Sequence, residues 1–165
     1  MSFIEIAQVI AKKSKDPSTK VGAVIVDAEN RILSTGYNGF ISKNNEEYMT
    51  FERPMKYHLT IHAEMNALLF AKQDLSGKTM YVTHSPCSEC LKHILQCRIK
   101  TVYYAELYSK FTEDQKDAIK RLILSTGVKI ININTKADYL TDLGIDIKID
   151  LGIDFNDHTN LIDFD

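Results

Sequence analysis

The chain has 165 residues, of which 44% are apolar and 25% are charged, and its formal net charge is −2. This length and composition are typical of one globular domain with its own core, and the charge argues against a protein that binds nucleic acid electrostatically. The charge is unevenly placed, because residues 137–165 carry eight Asp and one Lys, whereas the rest of the chain has a net charge of +5. A mildly basic body of this kind suits a small anionic ligand.

Cysteine content and the N-terminal sequence indicate the compartment. Three cysteines are an odd number, which argues against a disulfide framework and fits a reducing environment. The first residues show no basic region followed by a long apolar run, so we expect no signal peptide. No apolar stretch approaches the length of a membrane span. We therefore expect a cytoplasmic protein, of a cell or of a virus-infected cell, that does not bind membranes.

The first part of the chain predicts a helix, a hairpin and a long loop. Apolar residues recur with helical spacing over residues 3–15. Residues 20–27 and 31–36 are rich in Val and Ile and predict two strands joined by a turn. Gly36-Tyr37-Asn38-Gly39 then favours a plain turn, with a turn that presents the amide of Asn38 as the functional alternative. The polar residues 40–58 predict a loop near the mouth of a site.

The second part alternates between helices and strands. The predicted elements are a helix over about residues 62–73, a strand over 79–83, a helix over about 88–97, a strand over 100–105, a helix over 112–124 and a strand over 128–133. With the preceding hairpin, this order predicts a three-layer α/β arrangement.

The acidic tail shows a different pattern. Ile145, Ile147 and Ile149 alternate with charged residues, which predicts a strand rather than a helix. The spacing of the aspartates is not that of an EF-hand calcium loop. We interpret residues 1–135 as the functional domain and residues 136–165 as an acidic C-terminal extension, which is a solvated appendage or a subunit contact.

Two short motifs, His62-Ala63-Glu64 and Pro86-Cys87-Ser88-Glu89-Cys90, carry the chemistry. One imidazole and two thiolates are good ligands for Zn²⁺, and three protein ligands leave the fourth tetrahedral position for water. Glu64 need not be a ligand and is well placed to move protons beside that water. Order and spacing match the H-x-E…P-C-x-x-C signature of zinc-dependent deaminases.

Two other interpretations of the motifs stay open. Cys97, His84 or His93 could supply a fourth ligand, which would make the site a structural zinc site. Alternatively, the chain is a non-catalytic, zinc-stabilised module that binds a nucleotide or a partner chain. Glu64 argues against such a module, since a structural site has no use for that carboxylate.

The chain resembles the deoxycytidylate (dCMP) deaminase family, including its viral members, over about residues 5–133. The likeness lies in residues 14–18 leading into 21–26, in residues 36–39, in Lys56-Tyr57 ahead of 61–67, and in residues 80–83 ahead of 85–87. The resemblance implies the cytidine-deaminase fold, a three-layer α/β/α arrangement with a five-stranded mixed sheet between helices. It implies one catalytic Zn²⁺ per chain on His62, Cys87 and Cys90, with Glu64 as the proton shuttle.

The resemblance also implies the reaction, the hydrolytic deamination of dCMP to dUMP and ammonia, which supplies dUMP for thymidylate synthesis. Asn38, Tyr108 and the backbones of Ala63 and Ser85 would contact the substrate. Lys20 is a candidate for the phosphate, with an exposed lysine at the start of a strand as the alternative. The zinc motif does not separate dCMP from dCTP, deoxycytidine, cytosine, guanine or adenosine in tRNA, although the charge argues against tRNA.

Oligomers and effectors are implied as well. The resemblance predicts a homo-oligomer, a dimer or a hexamer, with dCTP and dTTP as effectors. Family members often carry a segment rich in Gly and Cys after the substrate loop, tied to a second zinc and to nucleotide regulation. Residues 40–48 contain no cysteine here. We therefore expect no second structural zinc, and the expectation of regulation is weakened.

Overall fold

The computed structural model describes residues 1–147 of the chain. Its helices are α1 (Phe3–Ala11), α2 (Lys56–Leu59), α3 (Ala63–Ala71), α4 (Ser88–Gln96), α5 (Glu113–Thr126) and α6 (Tyr139–Asp142). Its strands are β1 (Gly22–Val26), β2 (Ile32–Tyr37), β3 (Gly39–Phe40), β4 (Thr60–Ile61), β5 (Thr79–His84), β6 (Thr101–Glu106) and β7 (Lys129–Asn132), and a 3₁₀ turn covers Glu46–Tyr48. Among the described residues, no helix has the length and apolarity that crossing a bilayer requires.

The main sheet has five strands in the order β2-β1-β5-β6-β7. β1 pairs antiparallel with β2 and with β5, whereas β5, β6 and β7 run parallel. This confirms the five-stranded mixed sheet. Every residue of β1 is buried. This explains why its sequence is continuously apolar and does not alternate between apolar and polar residues.

Two apolar clusters cover the two faces of the sheet. Ala23 and Ile25 of β1 point to one face, where they pack with residues of α3, α4 and α5. Val24 and Val26 point to the other face and pack with Ala7 of α1. Alternate residues of a strand face opposite sides, so β1 contributes to both clusters. The predicted three-layer arrangement is confirmed, with α1 on one side and the helices that carry the two motifs on the other.

The predicted loop over residues 40–58 contains more structure than expected. The rings of Phe40 and Phe51 stack with centroids 4.2 Å apart, and α2 begins at the buried residue Lys56. These apolar and buried contacts hold a polar sequence in a defined path. Its expected position is confirmed, since Arg53, Lys56 and Tyr57 line a cavity over the two motifs.

The start of the acidic extension differs from the prediction. Tyr139 and Leu140 of α6 are buried, and Ile145 and Ile147 pack against the core. The strand predicted from alternation is wrong for residues 145–147, because their isoleucines fold back on the core after the turn that ends α6. Packed structure thus continues to residue 147, beyond the predicted boundary at residue 135. Ile149 and the remaining acidic residues lie outside the described residues, and the role of the extension stays a prediction.

Candidate active site and metal centre

Two helix N-termini meet at the site. His62 is the N-cap of α3, and Cys87 is the N-cap of α4, where its Sγ accepts a hydrogen bond from the backbone N–H of Cys90 at 3.5 Å. The first N–H groups of a helix have no acceptor within the helix and form its positive end. This field favours thiolates, which are the form of cysteine that binds metals.

The three predicted ligands form one cluster. The ligand atoms of His62, Cys87 and Cys90 all lie within 4.8 Å of one another. Nδ1 of His62 is 3.6 Å from Sγ of Cys87 and 3.3 Å from Sγ of Cys90. Bond lengths typical of tetrahedral zinc place a nitrogen and a sulfur ligand about 3.6 Å apart. The donor set and its spacing therefore fit Zn²⁺.

The geometry does not support a four-ligand structural site. In the part of the chain that the structure describes, no fourth His, Cys, Asp or Glu joins the cluster. His93 has another partner, because its Nδ1 lies 2.7 Å from the carbonyl oxygen of Glu89. Three protein ligands with an open position are typical of catalytic zinc.

The ligand atoms of the metal-free cluster share protons that a metal ion has to displace. The hydrogen bond from Cys90 lowers the pKa of Cys87 to about 4. The same bond and burial raise the pKa of Cys90, so the two sulfurs hold one proton between them. The hydrogen bond with Cys87 raises the pKa of His62 to about 8. A bound metal ion displaces such protons, since it deprotonates a coordinating thiol outright.

Glu64 stands in the first turn of α3 and is buried, with 4% of its surface exposed. Burial raises its pKa to about 7, and the charge of His62 opposes this shift. A carboxyl group with a pKa near the working pH can both accept and donate a proton. Glu64 is absent from the metal cluster, which agrees with a role in proton transfer.

A cavity of about 760 Å³ opens over the cluster. This volume is within the usual range for small-molecule sites. The predicted site residues that line it are Asn38, His62, Ala63, Glu64, Ser85, Cys87, Cys90 and Tyr108. Lys20 is exposed and does not line the cavity. It is the one predicted site residue that lies outside the wall, and its contact with the phosphate stays a prediction.

The predicted substrate contacts differ in what they can offer. The backbone N–H of Ala63, at the start of α3, has no acceptor within the helix. The backbone N–H of Ser85 donates to the carbonyl oxygen of Glu106 at 2.9 Å, so this N–H is not available to a ligand. The Oγ of Ser85 accepts from the backbone N–H of Tyr108 at 2.9 Å. This bond fixes Tyr108, whose ring packs edge-on against Phe111.

Sequence reasoning missed a charged pair in the cavity wall. Nζ of Lys56 lies 2.6 Å from Oδ2 of Asp16, and both side chains are buried. Each residue falls in a segment that carries the family resemblance, but 40 positions separate them in the chain. No local pattern links two residues so far apart, and their types alone suggest solvated surface residues.

Comparisons with known proteins agree with this site. The family model of the cytidine and deoxycytidylate deaminase zinc-binding region matches residues 1–106. An uncharacterised deaminase of Aliivibrio fischeri is 47% identical over 109 residues, which are 66% of this chain and 74% of that protein. Deoxycytidylate deaminase of Mus musculus is 36% identical over 128 residues, covering 73% of this chain and 71% of the mouse protein.

A solved structure shows the same fold. The dCMP deaminase of the cyanophage S-TIM5, in complex with dCMP and dUMP, superposes with a TM-score of 0.61 at 30% sequence identity. The match covers 79% of this chain and 93% of the phage chain. Taken with the family match over both motifs, these likenesses show that the chain belongs to the cytidine and deoxycytidylate deaminase family.

Proposed function

We propose that this protein is a zinc-dependent hydrolase that converts dCMP and water to dUMP and ammonia. The observation that carries the proposal is the three-ligand cluster of His62, Cys87 and Cys90 with the buried carboxyl group of Glu64 beside it in one cavity. The choice of dCMP is supported by the mouse relative, named deoxycytidylate deaminase, and by the cyanophage relative in complex with dCMP and dUMP.

His62, Cys87 and Cys90 would hold the metal ion through Nδ1 and the two Sγ atoms. When bound, Zn²⁺ supplies Lewis-acid activation, which lowers the pKa of water from about 15.7 towards about 7. The remaining work in the reaction falls to side chains of the cavity.

Glu64 serves as the proton shuttle. Its carboxylate accepts a proton from the water whose oxygen attacks C4 of cytosine, and it passes that proton to N3. The second proton of the water is then delivered to N4, the C4–N4 bond breaks, and ammonia leaves with uracil as the product base. One carboxyl group can serve both transfers because giving the first proton to N3 returns it to the ionised form that can accept the next proton.

The phosphate of dCMP requires positive charge at the cavity. Arg53 and Lys110 both line the wall and have exposed side chains. Arg53 is already oriented, since its Nε donates to the hydroxyl of Tyr57 at 2.7 Å. Lys20, the candidate from the sequence, lies outside the wall, so Arg53 and Lys110 are the stronger candidates for pairing with a phosphate.

A substrate panel tests the proposal. Purified, zinc-loaded protein is incubated with dCMP, dCTP, deoxycytidine or a tRNA anticodon stem, and ammonia release is measured. We expect dCMP to have the highest kcat/KM. Deamination of another member of the panel, with none of dCMP, would overturn the assignment of substrate. No release from any member would leave a non-catalytic zinc-stabilised module as the better account.

Homo-oligomerisation and control by dCTP or dTTP stay predictions that rest on the family resemblance. Light scattering of the zinc-loaded protein, with and without each nucleotide, measures the assembly. Adding dCTP or dTTP to the dCMP assay measures the control. We expect a dimer or a hexamer and a weak response to both nucleotides, because residues 40–48 lack the cysteines associated with regulation.

A further inference from the structure

A buried ion pair that is not part of the metal cluster lines the same cavity. Nζ of Lys56 lies 2.6 Å from Oδ2 of Asp16 and donates to Oγ of Ser18 at 2.7 Å. The Lys56 side chain is 9% exposed and that of Asp16 is fully buried. A buried charge is costly unless it is paired and hydrogen-bonded, so each of these two groups depends on the other.

The carboxylate of Asp16 accepts several hydrogen bonds from the turn at residues 18–19 that follows it. Its Oδ1 accepts from the backbone N–H and Oγ of Ser18, both at 2.9 Å, and from the backbone N–H of Thr19 at 3.3 Å. Its Oδ2 faces Lys56 and also accepts from Nδ2 of Asn38 at 3.3 Å. Burial opposes ionisation, but hydrogen bonds from Lys56, Ser18 and Thr19 hold the pKa of Asp16 below its usual value.

The carboxamide of Asn38 is fixed in one orientation by these partners. Its Nδ2 donates to Asp16 and, at 2.9 Å, to the carbonyl oxygen of Thr19, and its Oδ1 accepts from the backbone N–H of Val21 at 2.8 Å. An ionised carboxylate can only accept and a backbone N–H can only donate, so the amide cannot be turned over. Both N–H groups of Asn38 are used, and one lone pair of Oδ1 remains.

We infer that Asp16 and Lys56 are positioning residues, which hold Asn38 so that it presents only a hydrogen-bond acceptor to the substrate. This inference rests on the proposed function. An acceptor recognises a donor, and dCMP offers two neutral ones, the N4 amino group and the 3′-hydroxyl. Because N4 is the leaving group and must lie at the metal cluster, the acceptor of Asn38 is matched to the 3′-hydroxyl.

Substitution of either charged residue disturbs this orientation in a defined way. Asp16→Asn replaces one oxygen by an NH₂ group, so the side chain can no longer accept from Lys56, Asn38 and the 18–19 turn together. Lys56→Met removes the charge that keeps Asp16 ionised, whereas Lys56→Arg keeps it. In both disruptive variants the 18–19 turn loses its anchor on the Asp16 carboxylate. The Thr19 carbonyl and the Asn38 amide that donates to it then shift from their places, and the preference for a hydroxyl falls.

The test compares two nucleotides that differ only in the 3′-hydroxyl. Affinities of zinc-loaded protein for dUMP and for 2′,3′-dideoxyuridine monophosphate are measured by calorimetry, so no turnover is needed. We expect the wild-type protein to bind dUMP about tenfold more tightly, as one hydrogen bond in a partly buried site allows. We expect the ratio to fall towards one in Asp16→Asn and Lys56→Met, and to be largely retained in Lys56→Arg.

Asp27→Asn is the matched control. Asp27 is also a buried carboxylate, paired with Arg31 at 2.7 Å, but it does not line the cavity. The same chemical change there should leave the affinity ratio at its wild-type value. A general loss of packing would lower the affinity for both nucleotides and leave their ratio unchanged, so the ratio separates a positioning role from a merely structural one.

Each outcome decides the inference. A wild-type ratio in folded, zinc-loaded Asp16→Asn would overturn it, as would equal wild-type affinities for the two nucleotides. If the charge variants do not fold, Ser18→Ala removes one of the three hydrogen bonds by which Asp16 holds the 18–19 turn and leaves neither charge unpaired. The ratio should then fall part of the way towards one, and an unchanged ratio there would overturn the inference. A zinc-loaded wild-type protein that binds neither nucleotide would overturn the proposed function, and this inference with it.

Discussion

Gly36 of β2 packs directly against the backbone of Ala63, the first residue of α3. A Cβ at position 36 would lie 2.2 Å from the carbonyl oxygen of Ala63 and 2.4 Å from the backbone nitrogen of Ala67. Ala63 stands between the proposed metal ligand His62 and Glu64, so this contact sets how closely α3 approaches the sheet. Only glycine permits that distance.

Gly36→Ala should therefore push α3 away from β2. Overpacking usually costs about 1–3 kcal/mol of unfolding free energy, and here the obstacle is backbone, which cannot rotate aside. Turnover should fall further than stability suggests, because a displacement of about 1 Å in a catalytic group can cost about 10²-fold. Denaturant unfolding and kcat measure the two effects.

Gly39→Ala is the control for stability. The nearest atom to a Cβ at position 39 is in the ring of Tyr37, at 4.0 Å, so the methyl group has room. We expect its unfolding free energy to stay close to that of the wild type. Equal stability of Gly36→Ala and Gly39→Ala would contradict the close contact between β2 and α3.

Substitution of the two motif cysteines should remove the metal. Cys87→Ser or Cys90→Ser replaces a soft thiolate by a hydroxyl, and the loss of zinc affinity should exceed the roughly 10–100-fold that follows loss of an outer-shell partner. Cys97→Ser is the matched control, since Cys97 is outside the metal cluster. Elemental analysis should give one zinc per chain for the control and much less for the other two. Equal zinc content in all three would contradict the ligand assignment.

The residue Tyr139 supports the loop that carries Cys87. Its hydroxyl donates to the carbonyl oxygen of Pro86 at 2.7 Å, and the side chain is buried. Tyr139→Phe leaves that carbonyl without its partner, which should cost about 1–3 kcal/mol of stability and weaken zinc binding. Tyr103→Phe is the control, because within residues 1–147 the Tyr103 hydroxyl makes no hydrogen bond and the ring stacks on Tyr81. An equally small loss of stability in both variants would contradict a supporting role for the hydrogen bond from Tyr139 to Pro86.

Glu64→Gln should stabilise the metal-free protein, and the gain should depend on pH. Burial raises the pKa of Glu64 from 4.5 to about 7 in the folded chain, so the folded state binds the proton more tightly than the unfolded state does. The ionised carboxylate therefore opposes folding: its cost is absent below about pH 4.5, grows between pH 4.5 and 7, and is constant above pH 7. The full cost corresponds to about 3 kcal/mol.

Chemical unfolding of chelator-treated wild type and Glu64→Gln at pH 4 and pH 8 measures this effect. The two proteins should have similar unfolding free energies at pH 4, and the variant should be the more stable at pH 8. A difference that is the same at both values would show that Glu64 does not titrate in the way its burial implies.

Local signals account for what the sequence predicted well. The Val and Ile residues of β1 indicated a strand, and the two motifs marked the starts of α3 and α4, where His62 and Cys87 are the N-caps. Helix caps and strand periodicity depend on near neighbours in the chain. For this reason the cluster of His62, Cys87 and Cys90 and the order of the main elements could be predicted from the sequence.

Long-range pairing accounts for what was missed. Lys56 and Asp16 are both charged, and nothing local indicates that they are buried together in the cavity wall. The charge of the acidic tail suggests a solvated appendage or a subunit contact, yet at its start Tyr139 is buried and Asp142 accepts a hydrogen bond from Tyr104 at 2.5 Å. These contacts join residues that only the folded sheet and helices bring together.

The most direct test measures dUMP formation from dCMP by wild type and by Glu64→Gln, each shown to hold one zinc per chain. General acid–base catalysis by one residue is worth about 10²–10⁴-fold, so the variant should lose at least that factor in kcat while keeping its zinc. Wild-type turnover in zinc-loaded Glu64→Gln, or no dUMP from the zinc-loaded wild type, would contradict the account.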